Sequence, residues 1–276
     1  MSQSEKGERP LRLAIPRSRR LTMDMLHLHR QVPTCAHDRK CDLSRLVEVR
    51  KTARVRISWS ILFIKAFAIV AARHAVLRQT YMAWPWAHLY QHPESVAVIA
   101  THREVDGQSW LFWSRFVRPE AVSLVELQRQ LDRFQEKPVE KVFRNQWLLS
   151  GMPTLVRRLL WWWTLNVSGT ARAKRTGTFA LTTIAAGGAE IQHPPGFLTS
   201  NLTYGPLDEH GYARVTIAYD HRLMDGSPVA QFLKELEETL CTVIADELAA
   251  IALPAIESAG HETLNRSERK NARRAA

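Results

Sequence analysis

The chain has 276 residues, 45% hydrophobic and 24% charged. That is globular composition, not disorder, and is ample for the core of one large domain or two small ones. Lysine and arginine exceed aspartate and glutamate by 38 to 27, a formal charge of +11, so an anionic partner is expected: nucleic acid, an acidic membrane surface or a phosphorylated cofactor.

Met1 to Pro10 is polar and charged, which reads as a disordered leader over residues 1–10 and not as a signal peptide. Leu11 to Ile15 predicts a short strand and Pro16 to Arg30 a basic helix with His27 and His29 exposed. On that helix Arg19 and Arg20 are either a solvated face or partners for a buried carboxylate. Cys35, Cys41 and Cys241 form no disulfide framework, so a reducing cytoplasm is the expected setting. Cys35-x-His37-x3-Cys41 has no second pair to complete a zinc site, and no metal is expected. Ser58 to Thr80 is the most hydrophobic stretch. A membrane span needs about 20 apolar residues, and Lys65 and Arg73 cut this run shorter, so it predicts a central buried helix capped by Ser58. Trp84-Pro85-Trp86 breaks the pattern. Ser95 to Ala100 then reads as a strand, Asp106-Gly107 as a hairpin turn and Trp110 to Val117 as the returning strand. Ser123 caps a helix that runs to about Lys137 and stops before Pro138.

Leu155 to Leu165 predicts a helix that carries Trp161, Trp162 and Trp163 in succession. At ~100° per residue the three rings spread over roughly 200°. They cannot all face one core, so at least one meets a partner chain, a ligand or an interface. Arg157, Arg158, Arg172, Lys174 and Arg175 make the segment cationic as well as aromatic. That combination suits a peripheral membrane contact, a lid over an acyl chain, the adenine and phosphates of a cofactor, or burial against a neighbouring subunit. Farther on, Arg214 to Tyr219 alternates with the two-residue period of a half-buried strand. Ser227 and Pro228 read as an N-cap and a first helical residue. The helix behind them sets Val229, Phe232, Leu233, Leu236, Leu240, Val243 and Ile244 on one apolar face. His221 thus sits on a short loop where a strand hands over to a helix, a rigid place for a reactive imidazole. Residues 251–276 read as a basic, disordered tail, leaving 11–250 as one domain.

His221-Arg222-Leu223-Met224-Asp225-Gly226 resembles the His-Arg-x-x-Asp-Gly signature of the catalytic domain of 2-oxo acid dehydrogenase E2 acyltransferases, whose fold is shared with chloramphenicol acetyltransferase. Other stretches are similar to that family in the same order. Val32 to Cys35 through Cys41 to Lys51 is similar to its strand and helix closing on Arg-Lys. Gly177-Thr178-Phe179-Ala180-Leu181-Thr182-Thr183-Ile184 is similar to its hydroxyl-bearing strand, and His193-Pro194-Pro195 to its Asn/His-Pro-Pro turn. Residues 139–176 are longer than the family pattern, and the stretch between the hydroxyl-bearing strand and His221 is shorter. The resemblance implies an α+β fold, a two-layer α/β sandwich in which a chloramphenicol acetyltransferase-like mixed sheet is covered by helices.

It also implies acyl transfer from coenzyme A or another carrier thioester to a small-molecule or carrier-protein acceptor. His221 would take the acceptor's proton, a task for which imidazole suits neutral pH. Its tautomer would be fixed by a backbone carbonyl. Thr182, aligned through Phe179, would donate to the oxyanion, with Thr183 the neighbouring alternative. Asp225 would support the loop through hydrogen bonds or an arginine pair, Arg222 would serve structure, and Gly226 would permit close packing. Arg172, Lys174 and Arg175 are the candidates to bind coenzyme A, and Trp161, Trp162 and Trp163 those for a membrane contact. A homotrimer or a higher assembly of trimers, with each site between two subunits, is the implied assembly. No lipoyl domain or lipoyl group is expected in this chain, so it reads as a stand-alone cytoplasmic acyltransferase. The alternative is a non-catalytic trimeric assembly protein that retains the fold. Nucleic acid is not an expected partner, because no helix-turn-helix, zinc or RNA-binding motif is present.

Overall fold

The computed structural model describes residues 12–252. After a 3-10 turn (Arg17–Arg19), α1 (Arg20–His29) leads to β1 (Thr34–Asp42), α2 (Ser44–Thr52) and α3 (Trp59–Arg73). A short hairpin of β2 (Gln79–Met82) and β3 (His88–Gln91) precedes a long one of β4 (Val96–Val105) and β5 (Gln108–Val117). Asp106 and Gly107 turn the long hairpin with φ of 52° and 68°, the positive values a two-residue turn between twisted strands requires. Helices α4 (Leu124–Glu136), α5 (Val139–Val142), α6 (Arg144–Gly151), α7 (Thr154–Asn166) and α8 (Gly169–Thr176) follow in one run. Then come β6 (Phe179–Leu181), β7 (Ser200–Tyr204), β8 (Tyr212–Asp220), α9 (Gly226–Thr239) and, past a π turn at Leu240–Ile244, α10 (Ala245–Ala252). The fold is α+β.

Six strands form one mixed sheet in the order β1-β8-β7-β6-β4-β5, with β6 parallel to both its neighbours and the other pairs antiparallel. Because side chains alternate along a strand, the register sorts residues into two faces. Phe116, Ala97, Phe179, Ser200 and Tyr219 lie abreast on one face. That face is packed. Phe179 meets Phe67 of α3 edge-on at 4.8 Å, and Tyr204 stacks on Phe63 at 4.3 Å. On the other face Arg115, Val98, Ala180, Asn201 and Ala218 lie abreast, and α1, α6 and α7 stand over them across an open space.

α3 is the buried central helix its composition calls for, with Ile61 to Ala68 all buried. Its one internal charge is matched, since Lys65 pairs with Glu247 of α10 at 2.5 Å and donates to the Val122 carbonyl at 2.7 Å. Ser58 stands at its N-cap position without a side-chain capping bond, whereas the Ser123 hydroxyl accepts from the Glu126 N–H at the start of α4. No described helix is long and apolar enough to cross a membrane.

Three expectations are corrected and one pair of alternatives is decided. Residues 12–15 form no strand, and helix proper starts only at Arg20. Arg19 and Arg20 do not pair with a buried carboxylate; Arg20 donates to the Ser150 carbonyl at 3.3 Å. The C-terminal helix begins at Gly226 with Asp225 at the N-cap position, so Ser227 and Pro228 sit inside its first turn, where proline's missing N–H leaves no helical bond unmade. Val243 is 42% exposed, because the π turn adds a residue to its turn and rotates the apolar phase. The leader expected over residues 1–10 lies outside the described residues, as does most of the expected tail, since α10 runs through Ala252.

Candidate active site

The loop of His221 is tied from Asp220 to Leu223. Asp220 ends β8 with its carboxylate buried, accepting from the Arg222 backbone N–H at 3.0 Å, its Nε at 2.8 Å and its Nη2 at 2.6 Å. The Asp220 N–H donates to Thr199 and the His221 N–H to Pro33. Arg222 also lies over the Tyr81 ring at 4.4 Å. Arg222 thus serves structure, but its carboxylate partner is Asp220 and not Asp225. The His221 side chain stands 43% exposed on this support. Its Nδ1 faces Asp225 Oδ1 at 3.5 Å, and Asp225 is itself 86% exposed. Among the described residues no backbone carbonyl bonds the ring, so its orientation comes from Asp225 and the Tyr219 ring 5.7 Å away. Gly226 leaves room for the His37 imidazole, which a Cβ there would meet at 2.8 Å.

The two threonines that follow β6 differ in what they do. The Thr183 hydroxyl donates to the Tyr204 carbonyl at 2.8 Å and accepts from the Ala185 N–H at 3.1 Å. Thr182 anchors only its backbone, donating its N–H to Leu202. Its hydroxyl has no partner among the described residues, and its side chain lines a cavity of about 1010 Å³ on the open face of the sheet. A hydroxyl free to donate is what an oxyanion needs.

His221 and Thr182 do not meet within one chain. Leu181 is level with Leu202 and Leu202 with Ile217, so Thr182 is level with Thr216, and β8 continues to Asp220 before His221 is reached. At about 3.3 Å per residue along a strand and about 4.8 Å between strands, His221 lies roughly 17 Å along and about 10 Å across from Thr182.

The three basic candidates likewise separate. Arg172 is an internal joint that donates to the carbonyls of Tyr81, Leu165 and Phe197 at 3.0, 3.0 and 3.1 Å. Burial, together with nearby Arg222, pushes its guanidinium down to about 10. It lines a smaller cavity of about 440 Å³ with Arg222 and Trp162. Lys174 is exposed. Arg175 lines the larger cavity, donates to Thr164 at 3.0 Å and covers the Trp163 ring at 5.4 Å.

The tryptophans diverge as the helical spacing requires. Trp161 turns inward against Phe197 at 5.8 Å and lines the larger cavity. Trp162 and Trp163 remain 46% and 44% exposed.

Sequence reasoning missed how this segment is held. Asp24 of α1, buried, receives Arg157 Nε at 2.7 Å and Arg158 Nε at 3.2 Å from α7. Its only sequence signal was a lone carboxylate in an apolar stretch, Leu21 to Leu26. Nor did the sequence mark Asn201, or Ala100 and Ala180 within their strands, as parts of a site. Among the described residues no group of three or more His, Cys, Asp or Glu is arranged to hold a metal.

By sequence no family matches the chain, and neither does any curated protein. By backbone shape it is similar to acyltransferase cores. One is a probable dihydrolipoamide acetyltransferase from Listeria monocytogenes, with a TM-score of 0.58 at 16% identity over 85% of this chain and 94% of that one. Another is the dihydrolipoamide acetyltransferase of Azotobacter vinelandii, studied for the catalytic roles of a serine, a histidine and an asparagine, with a TM-score of 0.62 at 16% identity over 92% and 99%. A third is the truncated catalytic core of a 2-oxoacid dehydrogenase multienzyme complex from Thermoplasma acidophilum, with a TM-score of 0.61 at 15% identity over 84% and 98%. The chain has the fold of these cores along nearly their whole length.

Proposed function

We propose that the chain is an acyltransferase that moves an acyl group from a thioester, coenzyme A or a carrier, to a small-molecule or carrier-protein acceptor. His221 of one subunit takes the acceptor's proton as the acceptor attacks a carbonyl held by Thr182 of its neighbour in a trimer. The observation that carries this is an exposed imidazole on a rigid loop and, just past β6, a hydroxyl with no partner among the described residues, in a fold shared with acyltransferase cores. In the Azotobacter protein the histidine and the asparagine studied are four residues apart, the spacing of His221 and Asp225 here.

The chemistry follows from the parts. With Nδ1–H turned to Asp225, Nε2 is left to accept a proton. The acceptor's hydroxyl, thiol or amine gives that proton to Nε2 as its lone pair attacks the thioester carbon. The carbonyl oxygen becomes an oxyanion that accepts from the Thr182 hydroxyl. Collapse breaks the carbon–sulfur bond, and the thiolate leaves with the proton returned by the imidazolium. A base of this kind contributes about 10²–10⁴-fold. Arg175 lies beside the cavity and can meet the phosphates of coenzyme A. Arg172, with both terminal nitrogens bonded to carbonyls, positions the walls instead.

Free thiol released from acetyl-coenzyme A in the presence of dihydrolipoamide, alcohols or amines tests the reading. Turnover that His221→Asn abolishes supports it. Turnover unchanged in His221→Asn would reject His221 as the base.

A further inference from the structure

An acetyl group would leave most of the larger cavity empty. Its volume of about 1010 Å³ is at the top of the range for small-molecule sites. Leu21, Met25, Val98, Phe143 and Leu198 line it and are buried. Its floor is kept open by Ala100 and Ala180, which lie where larger side chains would fill the space between sheet and helices. Its roof, α7, is fixed to α1 by the buried Asp24–Arg157 pair.

The edge of the cavity has the opposite character. Arg19, Arg115, Lys141, Arg144 and Arg175 line it and are exposed, and no acidic residue lines it. Among the described residues none of the five has a carboxylate partner. Two lining residues, Trp161 and Asn201, also carry buried N–H groups with no partner among the described residues. Asn201 is 3% exposed. Unpaired buried donors destabilise a protein until an acceptor reaches them.

We propose that this cavity takes a long aliphatic acyl chain whose anionic carrier lies on the cationic edge. The inference rests on the acyltransferase reading and names the acyl group it transfers. Apolar depth, cationic rim and unpaired donors match the three parts of such a ligand: hydrocarbon, phosphate or carboxylate, and carbonyl oxygen. A long-chain acyl-coenzyme A and a free fatty acid share this chemistry.

Calorimetric titration of the full chain with palmitoyl-coenzyme A (below its micelle concentration), acetyl-coenzyme A and palmitate tests it. Each added buried methylene strengthens binding, so palmitoyl-coenzyme A is expected to bind at least about 100-fold tighter than acetyl-coenzyme A. Ala180→Phe fills the floor and should weaken palmitoyl-coenzyme A at least ~10-fold while acetyl-coenzyme A stays within about twofold. Ala100→Phe makes the same test if circular dichroism shows that the first variant does not fold. Lys141→Glu with Arg144→Glu should weaken both coenzyme A esters alike. Equal affinity for the two esters, or equal weakening of both by Ala180→Phe, would overturn the proposal. Palmitate binding tighter than palmitoyl-coenzyme A would overturn coenzyme A as the carrier. Tight chain binding without turnover would reject the acyltransferase reading and leave the cavity's ligand standing, whereas turnover of acetyl-coenzyme A with no preference for the longer ester would do the reverse.

Discussion

The two faces of the sheet are built from the same strands yet serve opposite ends. One face carries Phe116, Phe179, Leu181, Leu202 and Tyr219, sealed under α3 and α9. The other carries Val98, Ala100, Ala180 and Thr182 beneath helices held off the floor. Changing the side chain at every second position is enough to make one face a core and the other a cavity. The packed face stores stability, and the open face keeps space and an uncommitted hydroxyl.

The largest effects should divide along that line. Phe67→Ala removes the ring packed on Phe179 and should cost about 3–5 kcal/mol in a denaturant titration. Thr182→Ala should shift stability by less than about 1 kcal/mol while turnover falls on the order of 10²–10³-fold. A comparable loss of stability in Thr182→Ala would mean that the open face is packed after all. If Thr183→Ala alone shows the large catalytic loss, the donor is the next residue. Asp24→Ala strands Arg157 in the interior and should cost about 3–5 kcal/mol, with palmitoyl-coenzyme A binding lost as the roof loosens.

A smaller effect follows pH. Burial, with Arg172 and Arg78 nearby, pushes the His92 imidazole down to about 4. The unfolded chain takes up a proton below about 6.5 while the folded chain does not, so stability is complete above about 6.5 and declines as pH falls toward 4, by up to roughly 3 kcal/mol. His92→Phe should flatten that decline in melts recorded from pH 7 to 4. An unchanged slope would show that other groups carry it. The smallest effect is ionic. From 0.1 M to 1 M salt the Debye length falls from about 10 to about 3 Å, so coenzyme A esters should bind several-fold more weakly. Affinity indifferent to salt would remove the cationic edge from the account.

What was legible in the sequence was local. Asp106-Gly107, the Ser123 cap, the apolar α3 and the strand–loop–helix around His221 each declare themselves within about a dozen residues. The divergence of Trp161, Trp162 and Trp163 followed from helical pitch alone. What depends on distant partners stayed hidden. Arg157 finds Asp24 133 positions away, and nothing in either neighbourhood requires the other. Arg172 looked like a surface cation until the backbone of three separate segments converged on it. Ala100, Ala180 and Asn201 gain meaning only when the sheet register sets Ala180 beside Asn201 and all three at one cavity. The strand expected at Leu11 to Ile15 finds no neighbour to pair with over residues 12–15.

The central claim is that a complete site takes two subunits, since His221 and Thr182 are far apart within one. His221→Asn and Thr182→Ala should each be weak alone. When the two are unfolded, mixed at equal ratio and refolded, random trimers should bring an intact His221 beside an intact Thr182 at one site in four. About a quarter of wild-type turnover should therefore return. Mixed preparations no more active than the single variants, or a wild-type monomer that turns over at full rate in light-scattering fractions, would contradict it.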